Sequence, residues 1–130
     1  MRLTIYPEYL KYHKKHMWVR EDGTIGITDF AQALLGEILD LRVPGPGTVV
    51  ESGSAFGEIE VFKQISDLYS PVSGTIREVN TEVIDELGII NEDPYGKGWI
   101  AVIDMCDRSE LDEMLNSVEY EKLVASRLFL

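Results

Sequence analysis

Apolar positions along the chain fall in short runs of period two, cut by glycine, proline and acidic clusters, which predicts brief strands rather than long helices. Residues 17–19 and 24–27 flank Glu21-Asp22-Gly23, where Asp-Gly marks a tight hairpin. Thr28 is placed to cap a short helix over 29–35, which Gly36 ends. Over 38–43, Leu39, Leu41 and Val43 share one strand face and Asp40 and Arg42 the other, before the rigid turn Pro44-Gly45-Pro46-Gly47. From 49 to 79 the pattern predicts short strands broken by Gly53, Gly57, Pro71 and Gly74. Within it, Gly47-Thr48-Val49-Val50-Glu51 is loosely echoed by Gly74-Thr75-Ile76-Arg77-Glu78. Residues 81–95 read as an acidic loop ending in the turn formers Asn91-Glu92-Asp93-Pro94-Tyr95-Gly96. Over 99–103 both alternating sets are apolar, so a last strand is expected with both faces covered. Ser109 with Asp112 resembles a capping box opening a helix over 111–115, and a second helix is expected over 118–128.

These elements predict a mainly β domain, a small sandwich or barrel with short peripheral helices and a helical C-terminal segment beginning near 109. Residues 1–15 mix Tyr6, Tyr9 and Tyr12 with Lys11, Lys14 and Lys15 around Pro7, and are expected to form an irregular or extended arm. Residues 16–130 are expected to form one domain, a size that 130 residues and 14.7 kDa allow. The formal net charge is −11, with basic residues pooled in the first twenty positions. An acidic body of this kind repels phosphate backbones and argues against nucleic acid. No apolar run approaches a membrane span, and the first residues do not read as a secretory signal. One cysteine, Cys106, excludes an internal disulfide and suits a reducing cytoplasm.

Lys63 is the only basic residue between Arg42 and Arg77. Before it, Gly57, Ile59 and Val61 share one strand face and Glu58, Glu60 and Phe62 the other. After it, Gln64, Ser66 and Asp67 are polar and turn-compatible, which places Lys63 at a hairpin tip. Pattern alone leaves it a solvated surface lysine. The blocks around it carry more. His16-Met17-Trp18-Val19, Gly26-Ile27-Thr28-Asp29-Phe30-Ala31-Gln32, Leu35-Gly36-Glu37-Ile38, Ser66-Asp67-Leu68-Tyr69-Ser70-Pro71-Val72-Ser73-Gly74, Val79-Asn80, Asn91-Glu92-Asp93-Pro94-Tyr95-Gly96 and Gly98-Trp99 occur in order across about four-fifths of the chain. In these blocks the sequence resembles the lipoyl-bearing H proteins of the glycine cleavage system. The resemblance implies a flattened barrel-sandwich hybrid with lipoate in amide linkage on Lys63, flanked by Glu60, Val61, Phe62, Gln64 and Asp67. Biotinyl carriers share that fold but place methionines beside their lysine, and Phe62 and Gln64 speak against biotin.

The resemblance further implies a carrier without catalysis of its own, loaded by a lipoyl ligase or transferase. Its arm would pass aminomethyl between glycine decarboxylase, an aminomethyltransferase and dihydrolipoyl dehydrogenase. Acidic Glu58, Glu60 and Asp67 near the tip are candidates for steering those partners, against the commoner role of a solvated face. Two departures stand out. Met17 occupies the position of a family glutamate that faces the arm cavity, and the family's Glu-Ser-Val-Lys-Ala is here Glu60-Val61-Phe62-Lys63-Gln64. A cationic amine prefers a carboxylate to a thioether, so these changes raise an alternative. That alternative is a sulfur-carrying lipoate-binding protein beside a heterodisulfide-reductase-like complex. A third reading is an unmodified interaction module of the same fold.

Other candidate chemistry is thin. His13 and His16 are three apart, but no Cys or carboxylate cluster completes a metal site, and structural or surface roles are favoured. Cys106 has no basic activator nearby and is expected to be packed. Val118, Leu123, Val124 and Leu128, followed by Phe129 and Leu130, are expected to pack the terminal helix on its own sandwich, with a partner or a second copy as the alternative.

Overall fold

A computed structural model describes residues 6–128. Nine strands form two sheets. β1 (Lys11–His13), β2 (Met17–Val19), β3 (Thr24–Ile27), β5 (Val49–Val50), β8 (Gly74–Val79) and β9 (Ala101–Met105) make a six-stranded sheet in the order β1-β2-β3-β9-β8-β5. β4 (Asp40–Arg42), β6 (Ala55–Val61) and β7 (Gln64–Tyr69) make a three-stranded sheet in the order β4-β6-β7. The sheets do not close into a barrel, and the mainly β sandwich read from the pattern is what forms. The echo between 47–51 and 74–78 has a spatial meaning: β5 pairs with β8, Val49 opposite Thr75 and Val50 opposite Gly74.

Two apolar clusters form, because β2 and β3 bury both of their faces. Met17, Val19, Ile25 and Ile27 point one way, into a core shared with Leu41, Ile59, Val61, Leu68, Ile76 and Ile103. Trp18 points the other way and is fully buried with Tyr6, Leu10, Tyr12, Tyr120 and Val124. Gly26 makes room for it: a Cβ there would sit 2.6 Å from the indole ring. The indole Nε1–H donates to the Pro94 carbonyl at 3.0 Å, so the buried donor is satisfied.

Thr28 caps α1 (Asp29–Leu35), accepting from the Ala31 amide, and Gly36 ends the helix at φ 76°. The arm expected over 1–15 contains a strand: β1 pairs with β2, and Tyr12 exchanges backbone hydrogen bonds with Leu115. Tyr6, Leu10 and Tyr12 supply the apolar surface that fixes it there. The loop expected over 81–95 holds two short helices instead, α2 (Thr81–Asp85) and α3 (Gly88–Glu92). Asn80 caps the first by accepting from the Glu82 amide, and Val83 and Ile90 anchor the pair in the core. The last strand runs two residues beyond the expected 103, and Ala101, Val102 and Ile103 are all buried.

Near the C-terminus the cap is Asp107, not Ser109. Its carboxylate accepts from the Ser109 amide and opens a 3-10 turn over Arg108–Glu113 rather than an α-helix. The final helix, α4 (Ser117–Leu128), buries Tyr120 and Val124, whereas Val118 is exposed. Phe129 and Leu130 lie outside the described residues. No helix among the described residues is long and apolar enough to cross a membrane.

Candidate functional site

Strands β6 and β7 pair from Ala55↔Tyr69 to Val61↔Gln64, leaving Phe62 and Lys63 as a two-residue loop. Gln64, Ser66 and Asp67 therefore belong to a strand rather than to the turn expected of them, because each meets a partner on β6. Within the hairpin Val61 is buried and anchors the loop, while Phe62 is 78% exposed. Lys63 adopts φ 61°, a left-handed conformation uncommon for a residue with a Cβ. Its Nζ lies 5.3 Å from the centre of the Phe62 ring, and no ion pair holds it among the described residues. The amine is thus at an accessible tip, on a base fixed by the strands below it. Gln64 donates to Ser66 Oγ at 3.0 Å and stays on its own strand.

The acidic residues near the tip are not all free charge. Arg42 on β4 reaches three carboxylates: Asp40 at 3.2 Å, Glu58 at 3.8 Å, and Glu60 in a short hydrogen-bonded pair. Contact with Glu60 holds the guanidinium pKa above its ordinary value. Asp67, directly across from Glu58, is exposed and lies outside this cluster. Sequence order hid this arrangement, since Arg42 is eighteen residues from Glu60.

Below the tip, β7 forms one wall of a cleft of about 190 Å³. Ser66, Asp67, Leu68 and Tyr69 line it on that side. Ala31, Leu34 and Leu35 of α1 line another, and Lys15, His16 and Met17 close it. Met17, only 1% exposed, belongs to the core and presents no charge to this space. Lys15 stands at the cleft with its Nζ 4.8 Å from the centre of the Tyr69 ring. The structure therefore brings Met17, Asp67 and the lysine-bearing hairpin to one cleft. The sequence signal for the α1 wall is the i, i+3, i+4 spacing of Ala31, Leu34 and Leu35, which puts them on one helix face.

His16, also left-handed at φ 68°, places its Nδ1 2.8 Å from the Tyr120 hydroxyl. Burial pushes the imidazole pKa down to about 4, helped by the nearby positive charges of Arg127, His13 and Lys15. Burial also raises the Tyr120 hydroxyl well above its ordinary range. Among the described residues no group of three or more His, Cys, Asp or Glu could hold a metal ion. Cys106, expected to be packed, is exposed, because it lies past the end of β9 where only its backbone is held, by Ser73.

The family model described as "Glycine cleavage H-protein" matches residues 10–127. The chain is 47% identical over 125 residues to the glycine cleavage system H protein of Carboxydothermus hydrogenoformans, covering 94% of this chain and 96% of that one. It is 46% identical over 121 residues to the H protein of Coprothermobacter proteolyticus, covering 90% and 95%. Among solved structures, a glycine cleavage system H protein from Mycobacterium marinum superposes with a TM-score of 0.82 at 33% identity, covering 96% of this chain and all of that one. The family match over residues 10–127, the identities over nearly the whole chain and the shared fold show that the chain belongs to the glycine cleavage H-protein family.

Proposed function

We propose that the protein is a lipoyl carrier that shuttles an aminomethyl group between the enzymes of glycine cleavage, with lipoate in amide linkage on Lys63. The observation that carries this reading is the tip itself: an unpaired, accessible lysine on a two-residue hairpin loop in a chain of this family. The fit is chemical as well as positional, since acylation needs a free amine that a ligase can surround, and among the described residues no ion pair competes for it. When bound there, lipoate supplies a disulfide that opens to two thiols, one of which holds the passenger.

The chain's own residues do the rest. Val61 and the β6–β7 ladder fix the base of the arm, so that each handoff takes place at high local concentration. The cleft beside β7 lies in reach of the same hairpin, and its apolar walls on α1 and β2 shelter a docked arm from water. Asp67, on the wall, is the carboxylate available to a cationic passenger. Partners are then a lipoyl ligase or transferase, glycine decarboxylase, an aminomethyltransferase and dihydrolipoyl dehydrogenase.

Intact mass after incubation with a lipoyl ligase tests the reading. One lipoyl increment on the wild type, absent from Lys63→Ala, supports it. No increment with several ligases refutes it and favours the unmodified interaction module. One observation favours a second passenger: opposite Asp67, Met17 and Lys15 give the β2 side of the cleft a thioether and a positive charge, neither of which suits a cationic amine. A dithiol carrying sulfur beside a heterodisulfide-reductase-like complex would lose nothing by this. Single-turnover loading from a glycine decarboxylase, compared between wild type and Met17→Glu, separates the two. Loading of the wild type with aminomethyl supports the glycine cleavage role, and loading of Met17→Glu alone supports sulfur.

A further inference from the structure

Two walls of the cleft beside β7 come from different parts of the chain, and one buried hydroxyl meets His16 of the first and the N-cap of the helix that forms the second. Tyr120 of α4 is fully buried. Its ring stacks on Tyr12 with centroids 4.8 Å apart and meets Tyr6 edge-on at 5.0 Å, so its direction is fixed by packing. Its hydroxyl lies 2.8 Å from His16 Nδ1 and 2.7 Å from Thr28 Oγ1. His16 lines the cleft directly, next to Met17. Thr28 is the N-cap of α1, and the same Oγ1 accepts from the Ala31 amide at 3.2 Å. Ala31, Leu34 and Leu35 of that helix form the facing wall. Thr28 is also tied to the His16 side by backbone, its amide donating to the His16 carbonyl at 3.1 Å.

We infer that Tyr120 is a positioning residue for the cleft: through its hydroxyl, the C-terminal helix holds the His16 wall and the α1 wall at a fixed separation. The hydroxyl has one proton and its own lone pairs, enough to serve both neighbours at once. Tyr120 itself lies behind the cleft and is not among its lining residues, so it acts without touching whatever the cleft holds. This inference rests on the reading that the arm on Lys63 docks in this cleft.

The test uses full-length protein lipoylated on Lys63, with the arm reduced and aminomethylated using formaldehyde and ammonia, and compares wild type with Tyr120→Phe. Phenylalanine keeps the ring packing and removes only the hydroxyl. Two quantities are read: hydrolysis of the adduct, and exchange of the Ala31 and Leu35 amides with solvent in both the unmodified and the loaded protein. In Tyr120→Phe the adduct should hydrolyse about five-fold faster, the equivalent of one lost hydrogen bond of about 1 kcal/mol. The α1 amides should exchange faster even without the arm. Thr28→Ser, which keeps a hydroxyl at the cap, should match wild type in both. Wild-type hydrolysis and wild-type α1 exchange in Tyr120→Phe would overturn the inference while leaving the docked arm intact. If the wild-type adduct hydrolyses as fast as free aminomethyl-dihydrolipoamide and loading leaves α1 exchange unchanged, the docking itself is refuted, and the inference falls with it.

Discussion

His16 and Lys63 are the two non-glycine residues with left-handed backbone among those described, at φ 68° and 61°, and they sit in opposite surroundings. His16 is half-buried and held by partners: its imidazole meets the Tyr120 hydroxyl, lies 5.0 Å from the Phe30 ring centre, and its carbonyl accepts from Thr28. Lys63 is open: it is exposed, and its amine lies over the ring of its exposed neighbour Phe62. The same departure from ordinary backbone geometry thus serves packing in one place and presentation in the other. At His16 the strain is held by contacts to Tyr120, Phe30 and Thr28. At Lys63 only the strand ladder holds it, which is what a group meant to leave the surface needs.

The sharpest way to break this contrast is to remove the two ends of it separately. Lys63→Ala should abolish lipoylation completely, read by intact mass, while moving stability by no more than about 0.5 kcal/mol, because an exposed side chain with no partner leaves nothing behind. The enclosed region should behave oppositely. Trp18→Ala should cost about 3–5 kcal/mol in urea unfolding, since it opens a cavity against Gly26 and orphans the Pro94 carbonyl. It should leave Lys63 modifiable in whatever fraction remains folded.

Acidification should act on one side only. The His16 pKa is pushed down to about 4 from an ordinary 6.5, so the unfolded chain takes up a proton that the folded ring refuses. Stability is therefore complete above pH 6.5, falls as pH drops toward 4, and levels off below both values. Because the ring is only partly shielded from solvent, the loss should be about 1–2 kcal/mol. Denaturant midpoints at pH 7 and 4.5, wild type against His16→Asn, isolate this from the carboxylates, and equal slopes in the two proteins would contradict it. The smallest effect tests the backbone alone. Asparagine tolerates left-handed geometry, so Lys63→Asn should stabilise by about 0.5 kcal/mol, whereas His16→Asn should destabilise by about 1–2 kcal/mol at pH 7 through its lost imidazole contacts. Equal signs at the two sites would remove the distinction between them.

Much of this was legible in order along the chain. Thr28 as a cap, Gly36 as a stop, the Asp22-Gly23 turn and the alternation through Ile59 and Val61 are local features, and local rules name them correctly. Lys63 at a hairpin tip was legible for the same reason. The errors cluster where distant partners decide. Residues 81–95 look like loop because acids and turn formers interrupt their apolar residues, and α2 and α3 form because the core accepts Val83 and Ile90. Tyr6 and Tyr12 look like part of an arm until Trp18 and Tyr120 are placed against them. Glu58 and Glu60 look like a bare acidic face until β4 sets Arg42 beside them.

By itself, then, the sequence determined the family, the mainly β sandwich and the lysine, since short-range periodicity, turn chemistry and ordered blocks need no knowledge of what lies opposite. Tertiary structure alone decided the cleft. Its walls come from β2, α1 and β7, its floor is set by which face Met17 takes, and its separation is governed by a tyrosine more than ninety residues from the threonine it holds. Such contacts depend on three-dimensional proximity created by folding, and no local pattern in the chain encodes that.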